Sequence, residues 1–469
     1  MTFLVSLVRH TAVLLAAAAS GALIAAPWVP GGGRARLFSP ERAAWGVAVG
    51  LALLSGSVPL ALLVGVRPGW IPFLVLAAAA AAASRLRPAA GSRVAEPVPV
   101  PVSGPRSSAT ALRWVIALGI ALFALRALTE PMWSNDFLAI WGLKGKIIYS
   151  LSAVPDRLHA DPALAFAHPE YPLGIPFLYA GLASLAGGWD DHAAAVLFPI
   201  VQAATLLALT GWLRRRGVAR TVALSAAAVL ALDLPLYAAS LVGLADIPLS
   251  FFALLLGVSL SDAVDGTDPG APLRLALASG LAAATKNEGL FLAAAALVVG
   301  VVAVPRGKPW RRRNLALAVV LPVFAVIVPH RLWRGPARLR DFDFGLLAPA
   351  RWGELGSRIA ETAGREAFHV LLPSLATVVA LAALFALGRR TPWADRLLVI
   401  AGFAAAAYLI LPALGVLAGR PGDGPLFLVR TAVARTLSAL GPLVAAGIAG
   451  RFYVPGAGLP SAAVDPADP

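Results

Sequence analysis

Cysteine and charged side chains are what this sequence has least of. Its 469 residues include no cysteine, which excludes disulfide bonds and thiolate metal sites but leaves the redox compartment undetermined. Only 13% of the residues are charged, whereas 59% are hydrophobic and the mean hydropathy is +0.79, which excludes an ordinary soluble domain. Many apolar runs come close to the roughly 20 residues that cross a bilayer as a helix. The sequence therefore predicts an all-α polytopic membrane protein that lies in a lipid bilayer.

The charges that remain are mostly basic, and the formal net charge is +15. They occur in short clusters between apolar runs, as the positive-inside rule expects of cytoplasmic loops, so they predict topology and no nucleic-acid partner. The clusters lie at 34–42, 85–113, 214–220, 306–313 and 389–396. If all of them are cytoplasmic, an even number of spans must separate each cluster from the next.

About 13 transmembrane helices satisfy that condition. The predicted spans cover 11–28, 43–65, 69–84, 111–129, 192–213, 220–239, 244–260, 273–287, 288–304, 314–333, 369–388, 396–418 and 426–449. The short apolar run 172–187 is left out, because a crossing there would place the cluster at 214–220 outside. We expect this run to lie along or dip into the outer surface; the alternative is an ordinary span. The loop 130–192 is then one extracytoplasmic unit with juxtamembrane helices, including one over 137–151.

Composition divides the chain into four parts. Residues 1–86 are predicted to form an N-terminal segment of three membrane helices. Residues 87–110 are rich in proline, serine and glycine and predict an extended cytoplasmic linker. Residues 111–453 form the main transmembrane domain, and the tail 454–469 is predicted to be disordered. Because the sequence contains no soluble catalytic domain, any chemistry must come from loops and helix ends.

Ionisable residues on the predicted outer side stand in connections so short that they must lie near the hydrocarbon boundary. Asp246 begins one span, and Lys286 and Glu288 stand between two spans. Charged groups at such depth are costly and usually functional. Lysine occurs only four times in the chain, at 144, 146, 286 and 308, and the first three positions lie in these outer segments. A compact ammonium there suits the binding of a phosphate.

Four motifs on this side carry a resemblance to a known superfamily. They are Asp136 in the first outer loop, His-Pro-Glu-Tyr-Pro at 168–172, Ala-Asp-Ile-Pro at 245–248 and Thr-Lys-Asn-Glu-Gly at 285–289. Over residues 113–450 the chain resembles the GT-C superfamily and is similar to the protein O-mannosyltransferases and the bacterial aminoarabinose transferases that modify lipid A. The resemblance implies an inverting glycosyltransferase of the bacterial cytoplasmic (inner) membrane. It also implies transfer of a sugar from a polyprenyl-phosphate donor to an acceptor hydroxyl on the extracytoplasmic face.

The resemblance assigns Asp136 the role of general base, which removes the proton of the acceptor. The departing lipid phosphate needs cationic partners, for which we predict Lys286 and Arg435, with Arg430 as the substitute for Arg435. The predicted substrate-binding residues are Trp141, Lys144, His168, Glu170, Tyr171, Asp246 and Glu288. A divalent cation is the one cofactor considered, with Asp136, His168 and Glu170 as its candidate ligands. Asn135 stands where some relatives carry a second acidic residue, and the sequence leaves the sugar and the acceptor open.

Each of these residues also has a purely structural interpretation. Asp136 and Asp246 are residue types that cap helices, and each stands near a predicted helix start. The His-Pro segment could be a turn. Glu288 could simply pair with Lys286 or with the helix N-terminus at Gly289. Capping of the helix near residue 192 is the expected role of Asp190 and Asp191. Interfacial aromatic belts would account for Trp133, Trp141 and Tyr171.

For the whole protein, the principal alternative is a transporter or flippase of lipid-linked sugars. Transporters usually place ionisable groups near the bilayer midplane and show repeated halves. In this sequence the charged motifs cluster on one side, and no convincing internal repeat is present. A non-catalytic membrane subunit is the third alternative.

Overall fold

The computed structural model describes residues 3–30, 39–85, 106–154, 167–169, 171–233, 241–266, 268–334, 345, 348–358, 360, 391–414 and 439–452. Most of the predicted linker, the predicted tail and the predicted span 369–388 lie outside these residues. Three predicted site residues also lie outside them, namely Glu170, Arg430 and Arg435.

The described part is built of α-helices joined by turns. Their bounds are α1 Phe3–Ala25, α2 Pro40–Leu63, α3 Trp70–Arg85, α4 Arg106–Ala127, α5 Gly142–Leu151, α6 Gly174–Ala186, α7 Leu197–Arg215, α8 Arg220–Asp233, α9 Asp246–Asp265, α10 Ala271–Thr285, α11 Glu288–Ala303, α12 Pro309–Arg334, α13 Pro392–Leu414 and α14 Gly441–Gly450. A π turn, Phe137–Trp141, runs directly into α5, and a 3-10 turn, Ala193–Val196, runs directly into α7. Every predicted span that the structure describes overlaps one of these helices.

Six stretches of the described chain are long and apolar enough to cross a membrane: α1, α2, most of α4, α7 with its 3-10 turn, α9 and most of α12. Shorter apolar helices, such as α10 with 15 residues and α11 with 16, pack among them. α9 lies at the centre of the bundle, because 19 of its 20 residues are buried. The predicted all-α polytopic membrane fold is confirmed.

The two N-terminal helices α1 and α2 form a tight antiparallel hairpin. A Cβ added at Gly46 would lie only 2.8 Å from the carbonyl oxygen of Ala18, so the two backbones touch at this glycine. α2 packs in turn against α6 and α7. Arg274 of α10 donates a hydrogen bond of 2.7 Å to the carbonyl oxygen of Trp28, just after α1. This hairpin is therefore part of the main bundle, while the predicted domain boundary at residue 86 stays a prediction.

α6 corresponds to the short apolar run 172–187, which is not among the predicted membrane spans. Eleven of its 13 residues are buried, so protein and not lipid headgroups surrounds it. Its first residue packs against Ala284 at the end of α10, and Gly187, just after its last residue, faces Arg9 near the start of α1. Phe3 at the start of α1 stacks on His192, five residues after Gly187. The two ends of α6 thus contact the C-terminal end of α10 and the N-terminal part of α1.

The buried ion pairs form two clusters at opposite ends of α9. Asp246 is the first residue of this helix and Asp262 stands 16 positions later, which is about 24 Å along the axis at a rise of 1.5 Å per residue. Lys286 pairs with Asp246, whereas arginines pair with Asp262. We call the two regions the Lys286 end and the Asp262 end. The described motifs of the predicted site all belong to the Lys286 end.

Candidate functional site

Lys286 lies in the tight turn between α10 and α11 and is only 2% exposed. Its Nζ lies 3.2 Å from Oδ1 of Asp246 and 2.8 Å from Oε1 of Glu288. The Asp246 side chain is 1% exposed and that of Glu288 is 13% exposed. Two carboxylates therefore hold one ammonium in place, and the triad carries a formal charge of −1. The predicted pairing of Glu288 with Lys286 is confirmed.

Asp246 does not serve as the cap of its helix. Ala245 occupies the N-cap position of α9 and makes no side-chain cap hydrogen bond, while Asp246 is the first residue of the helix. Its carboxylate is instead turned to Lys286, 40 positions further along the chain. The capping interpretation of Asp246 is therefore wrong, and a buried ion pair replaces it.

Asp136 lies in the first turn of the helical segment that begins at Asn135 and continues through the π turn into α5. The backbone N–H of Phe137 donates to the hydroxyl of Ser134 at 3.3 Å, and Asp136 makes no side-chain cap hydrogen bond to the π turn. The capping interpretation of Asp136 is thus wrong, because Ser134 supplies that contact. Asp136 is half-buried and stands at a helix N-terminus, where the helix dipole favours a negative charge. A π turn of this kind is rare and is often found beside functional residues.

Phe137 fixes the position of this segment on the bundle. Its ring meets the ring of Tyr179 edge-on, with 5.5 Å between the centroids, and the Tyr179 hydroxyl donates to the carbonyl oxygen of Gly243 at 3.1 Å. A Cβ at Gly243 would lie 3.0 Å from Cβ of Phe137, and its φ of +90° also requires glycine. Since Asp246 follows Gly243 by three residues, the Asp136 segment packs directly on the turn that leads to the Lys286 triad.

Three aromatic rings stack beside this helix. The ring of Tyr171 lies between Trp141 and His168, at centroid distances of 5.1 Å and 5.0 Å and interplanar angles of 11° and 19°. Trp141 is 1% exposed, so its interpretation as an interfacial belt residue is wrong, whereas Trp133 is 66% exposed and fits that interpretation. Tyr171 and His168 are half-buried and form the more accessible part of the stack.

The His-Pro segment is a strained turn that Lys144 supports. His168 has a φ of +49°, which is uncommon for a residue with a side chain and more so before proline. Its carbonyl oxygen accepts hydrogen bonds from the Tyr171 N–H at 3.1 Å and from Nζ of Lys144 at 2.6 Å. Lys144 is fully buried, so its ammonium acts on the backbone of this turn. The structural interpretation of the His-Pro segment as a turn is confirmed, and strain of this kind is often found at functional sites.

The aromatic stack and the Lys286 triad are neighbours. Gly174 follows Tyr171 by three residues, and a Cβ there would lie 2.3 Å from the carbonyl oxygen of Ala284, two residues before Lys286. The Ser55 hydroxyl of α2 donates to the Gly174 carbonyl oxygen at 2.9 Å and fixes the same point from the other side. The fold thus brings the four motifs, which lie far apart in the sequence, to one end of the bundle.

The predicted cation site involves a residue outside the described part. Asp136 and His168 are described and Glu170 is not. Within the described residues, no group of three or more His, Cys, Asp or Glu side chains is placed so that it could hold a metal ion. The site of Asp136, His168 and Glu170 stays a prediction, as do the phosphate-binding roles of Arg430 and Arg435.

Asp190 performs its predicted capping role and also links α1 to the turn that follows α6. Its Oδ1 accepts from the backbone N–H groups of His192 and Ala193 at 3.0 Å and 2.9 Å. Burial opposes its ionisation, but the Ser6 hydroxyl and these two N–H groups outweigh burial and lower the pKa of Asp190. Asp191 does not share this role, because its carboxylate accepts from the indole N–H of Trp189.

The ion network at the Asp262 end was not predicted from the sequence. Nη2 atoms of Arg215, Arg216 and Arg274 lie 2.5 to 3.0 Å from the Asp262 carboxylate oxygens. Further partners complete the network: Glu41 with Arg215, Asp265 with Arg216 and Arg396, and Asp268 with Arg274. The available signal was the three aspartates 262, 265 and 268 at the end of an apolar span. Acidic residues at such a place need basic partners, and the arginine-rich predicted cytoplasmic side supplies them.

Comparison with known families bears on residues 168–333. This stretch matches the family model of dolichyl-phosphate-mannose-protein mannosyltransferases. The match supports a GT-C-type membrane glycosyltransferase. The predicted resemblance to the GT-C superfamily is thereby confirmed over a stretch narrower than 113–450, and the GT-C match contains Asp246, Lys286 and Glu288 but not Asp136. No curated protein and no solved structure matches the chain.

Proposed function

We propose that this GT-C-type protein transfers a sugar from a polyprenyl-phosphate donor to an acceptor hydroxyl, with inversion at the anomeric carbon. The reaction takes place at the Lys286 end, which faces the extracytoplasmic side of a bacterial inner membrane. The positive-inside rule supports this orientation, because the opposite end carries the arginine clusters at 214–220 and 306–313 together with Arg396.

In the proposed step, Asp136 is the general base. The acceptor oxygen attacks the anomeric carbon while its proton passes to the Asp136 carboxylate. The bond between that carbon and the phosphate oxygen breaks, and polyprenyl phosphate leaves with the bonding electron pair. The observation that carries the proposal is the placement of Asp136, a half-buried carboxylate that does not cap its helix and whose segment packs on the turn leading to Asp246 and Lys286.

The growing charge of the leaving phosphate needs cations that are already in position. We propose Lys286 for this role, together with Arg435 or its substitute Arg430. The carboxylates of Asp246 and Glu288 hold the Lys286 ammonium at a fixed point, so it does not have to be ordered during the reaction. Fixed charges of this kind stabilise a transition state without reorganisation at the moment of reaction.

The aromatic stack is the proposed sugar-binding surface. Tyr171 and His168 offer half-buried ring faces, and Trp141 and Lys144 support them from inside the protein. Glu170 stands between His168 and Tyr171 in the sequence and is proposed to contribute a polar group to the same surface. A transporter is the less favoured function, because the buried ion pairs of the described part lie at the two ends of α9 and not at its middle.

The test measures sugar release or transfer from a radiolabelled polyprenyl-phosphate sugar by purified protein. Asp136→Asn keeps the size of the side chain and removes the base, so its turnover should fall by roughly 100-fold to 10,000-fold. Glu354→Gln is the matched control, because it neutralises an exposed carboxylate in the separate helical segment 352–358 and should keep wild-type turnover. Equal turnover by Asp136→Asn and the wild type would overturn the proposal, and uptake of the donor into vesicles without turnover would favour the transporter. A chelator added to the wild type decides whether the predicted cation takes part.

A further inference from the structure

A strongly basic turn joins α11 to α12 at the Asp262 end. Five of the eight residues 306–313 are basic: Arg306, Lys308, Arg311, Arg312 and Arg313. We call residues 306–313 the basic turn. Within the described chain, none of these five side chains is paired with a carboxylate. The nearby network around Asp262 differs in this respect, since its arginines are matched by acidic partners. The charge of the basic turn is therefore available to a ligand outside the protein.

A groove of about 450 Å³ opens beside the basic turn. Its lining consists of residues 301–306 and Arg312, so apolar side chains at the end of α11 form the wall and two guanidinium groups form the rim. Val302 is 76% exposed, and Val298, one helical turn earlier, is 52% exposed. A continuous apolar strip thus runs along α11 toward the middle of the membrane, directly below the positive charge.

The rim of the groove is held in a fixed shape. Arg312 donates to the carbonyl oxygen of Val304 through Nε at 3.0 Å and through Nη2 at 2.6 Å. Arg311 is turned away, because its guanidinium lies over Gly266 at the C-terminal end of α9. Trp310 is 59% exposed between them, as tryptophan commonly is at the boundary between lipid and water. Arg306 and Arg312 line the mouth of the groove, and Lys308 stands exposed two positions after Arg306.

We propose that this groove binds the headgroup of an anionic phospholipid from the leaflet at the Asp262 end. The phosphate lies against Arg306 and Arg312 with Lys308 beside them, and one acyl chain follows Val302 and Val298. Charge complementarity favours an anionic ligand. The exposed apolar strip favours a lipid over an acidic protein or a nucleic acid, because only a lipid covers the strip and the basic rim together.

Native mass spectrometry of the purified, detergent-solubilised full chain tests this site. Phosphatidylglycerol and phosphatidylcholine with the same acyl chains are added at equal concentrations, and the bound lipid is counted. The test variant is Arg306→Gln with Lys308→Gln, which changes two exposed positions. The matched control is Arg214→Gln with Arg220→Gln, which removes the same charge from another arginine cluster at the same end.

The wild type should retain phosphatidylglycerol in preference to phosphatidylcholine. The test variant should bind phosphatidylglycerol about 30-fold more weakly, because each of the two basic residues contributes about 1 kcal/mol near a charged headgroup. The control should bind it as the wild type does. Equal retention of both lipids by the wild type would overturn the proposal. So would an equal loss in the control variant, or displacement of the lipid by millimolar inorganic phosphate, which would identify a site for free phosphate.

Discussion

Removing the carboxylate of Asp262 should destabilise the protein far more than removing an exposed carboxylate with similar partners. The Asp262 side chain is 1% exposed and accepts from three arginines and from the indole N–H of Trp212 at 3.1 Å. Glu354 is the matched comparison, because it pairs with Arg351 and Arg358 while 43% exposed. The two carboxylates share the same kind of partner and differ in burial.

The expected magnitude follows from what remains after Asp262→Ala. Breaking a buried ion pair by removing one partner costs about 3–5 kcal/mol, because the other charge stays buried without compensation. Each of the three arginines keeps one further carboxylate: Arg215 keeps Glu41, Arg216 keeps Asp265 and Arg274 keeps Asp268. We therefore expect a total loss of about 3–5 kcal/mol, and not that amount for each arginine. Glu354→Ala should cost about 0–1 kcal/mol.

The assay is thermal unfolding of the purified protein in one detergent, with wild type, Asp262→Ala and Glu354→Ala prepared side by side. Asp262→Asn belongs in the series, since it preserves the shape and an acceptor for Trp212 while removing the charge. The remaining folded fraction of Asp262→Ala should keep its glycosyl transfer, because Asp262 lies about 24 Å along α9 from Asp246. An unfolding temperature that falls no further in Asp262→Ala than in Glu354→Ala would contradict this prediction.

Three further predictions concern the Lys286 end. Lys286→Ala removes the ammonium that two carboxylates share in a buried site, so it should lower turnover at least 100-fold and also lower the unfolding temperature. Lys286→Arg should restore the stability. Transfer assays and thermal unfolding measure the two effects, and an unchanged unfolding temperature in Lys286→Ala would contradict the triad. Tyr171→Ala removes the middle ring of the stack and should raise the KM for the donor or the acceptor about tenfold. Tyr171→Phe keeps the ring and should match the wild type. Equal KM values for the two variants would exclude a binding role. Gly174→Ala should destabilise the folded protein by about 1–3 kcal/mol, because the new methyl group would lie 2.3 Å from the Ala284 carbonyl oxygen. Gly353→Ala is the control and should have little effect in the same thermal unfolding assay, because the space around Gly353 is open.

Much of the fold could be predicted because it follows from local composition. The predicted spans overlap helices wherever the chain is described, and the predicted helix over 137–151 is the π turn together with α5. The exclusion of the run 172–187 from the spans stays a prediction, and its burial inside the bundle was not foreseen. Hydropathy measures only how apolar a run is, and lipid and protein neighbours are equally apolar. Whether lipid or protein surrounds α6 depends on helices that lie far from it in the sequence.

The candidate site could be predicted in part, for a related reason. The positions of Asp246, Lys286 and Glu288 near helix ends followed from the spacing of the spans, and so did their common side. Their roles in the structure did not follow. Sequence spacing could not show that Ser134, and not Asp136, caps this helix, or that Lys144 is buried against the His168 carbonyl oxygen.

The sequence by itself determined that this protein lies in a bilayer and that the two ends of its helices differ in charge. Its long apolar runs can satisfy their backbone groups in a bilayer only as helices, and its arginine clusters mark one end of them. Tertiary structure alone decided the partners. Lys286 meets Asp246 across 40 positions, and Arg215 meets Glu41 across 174 positions. The reason is physical: a helix satisfies its hydrogen bonds within its own segment, whereas a buried charge is compensated by whichever side chain the packing of separate helices brings to it.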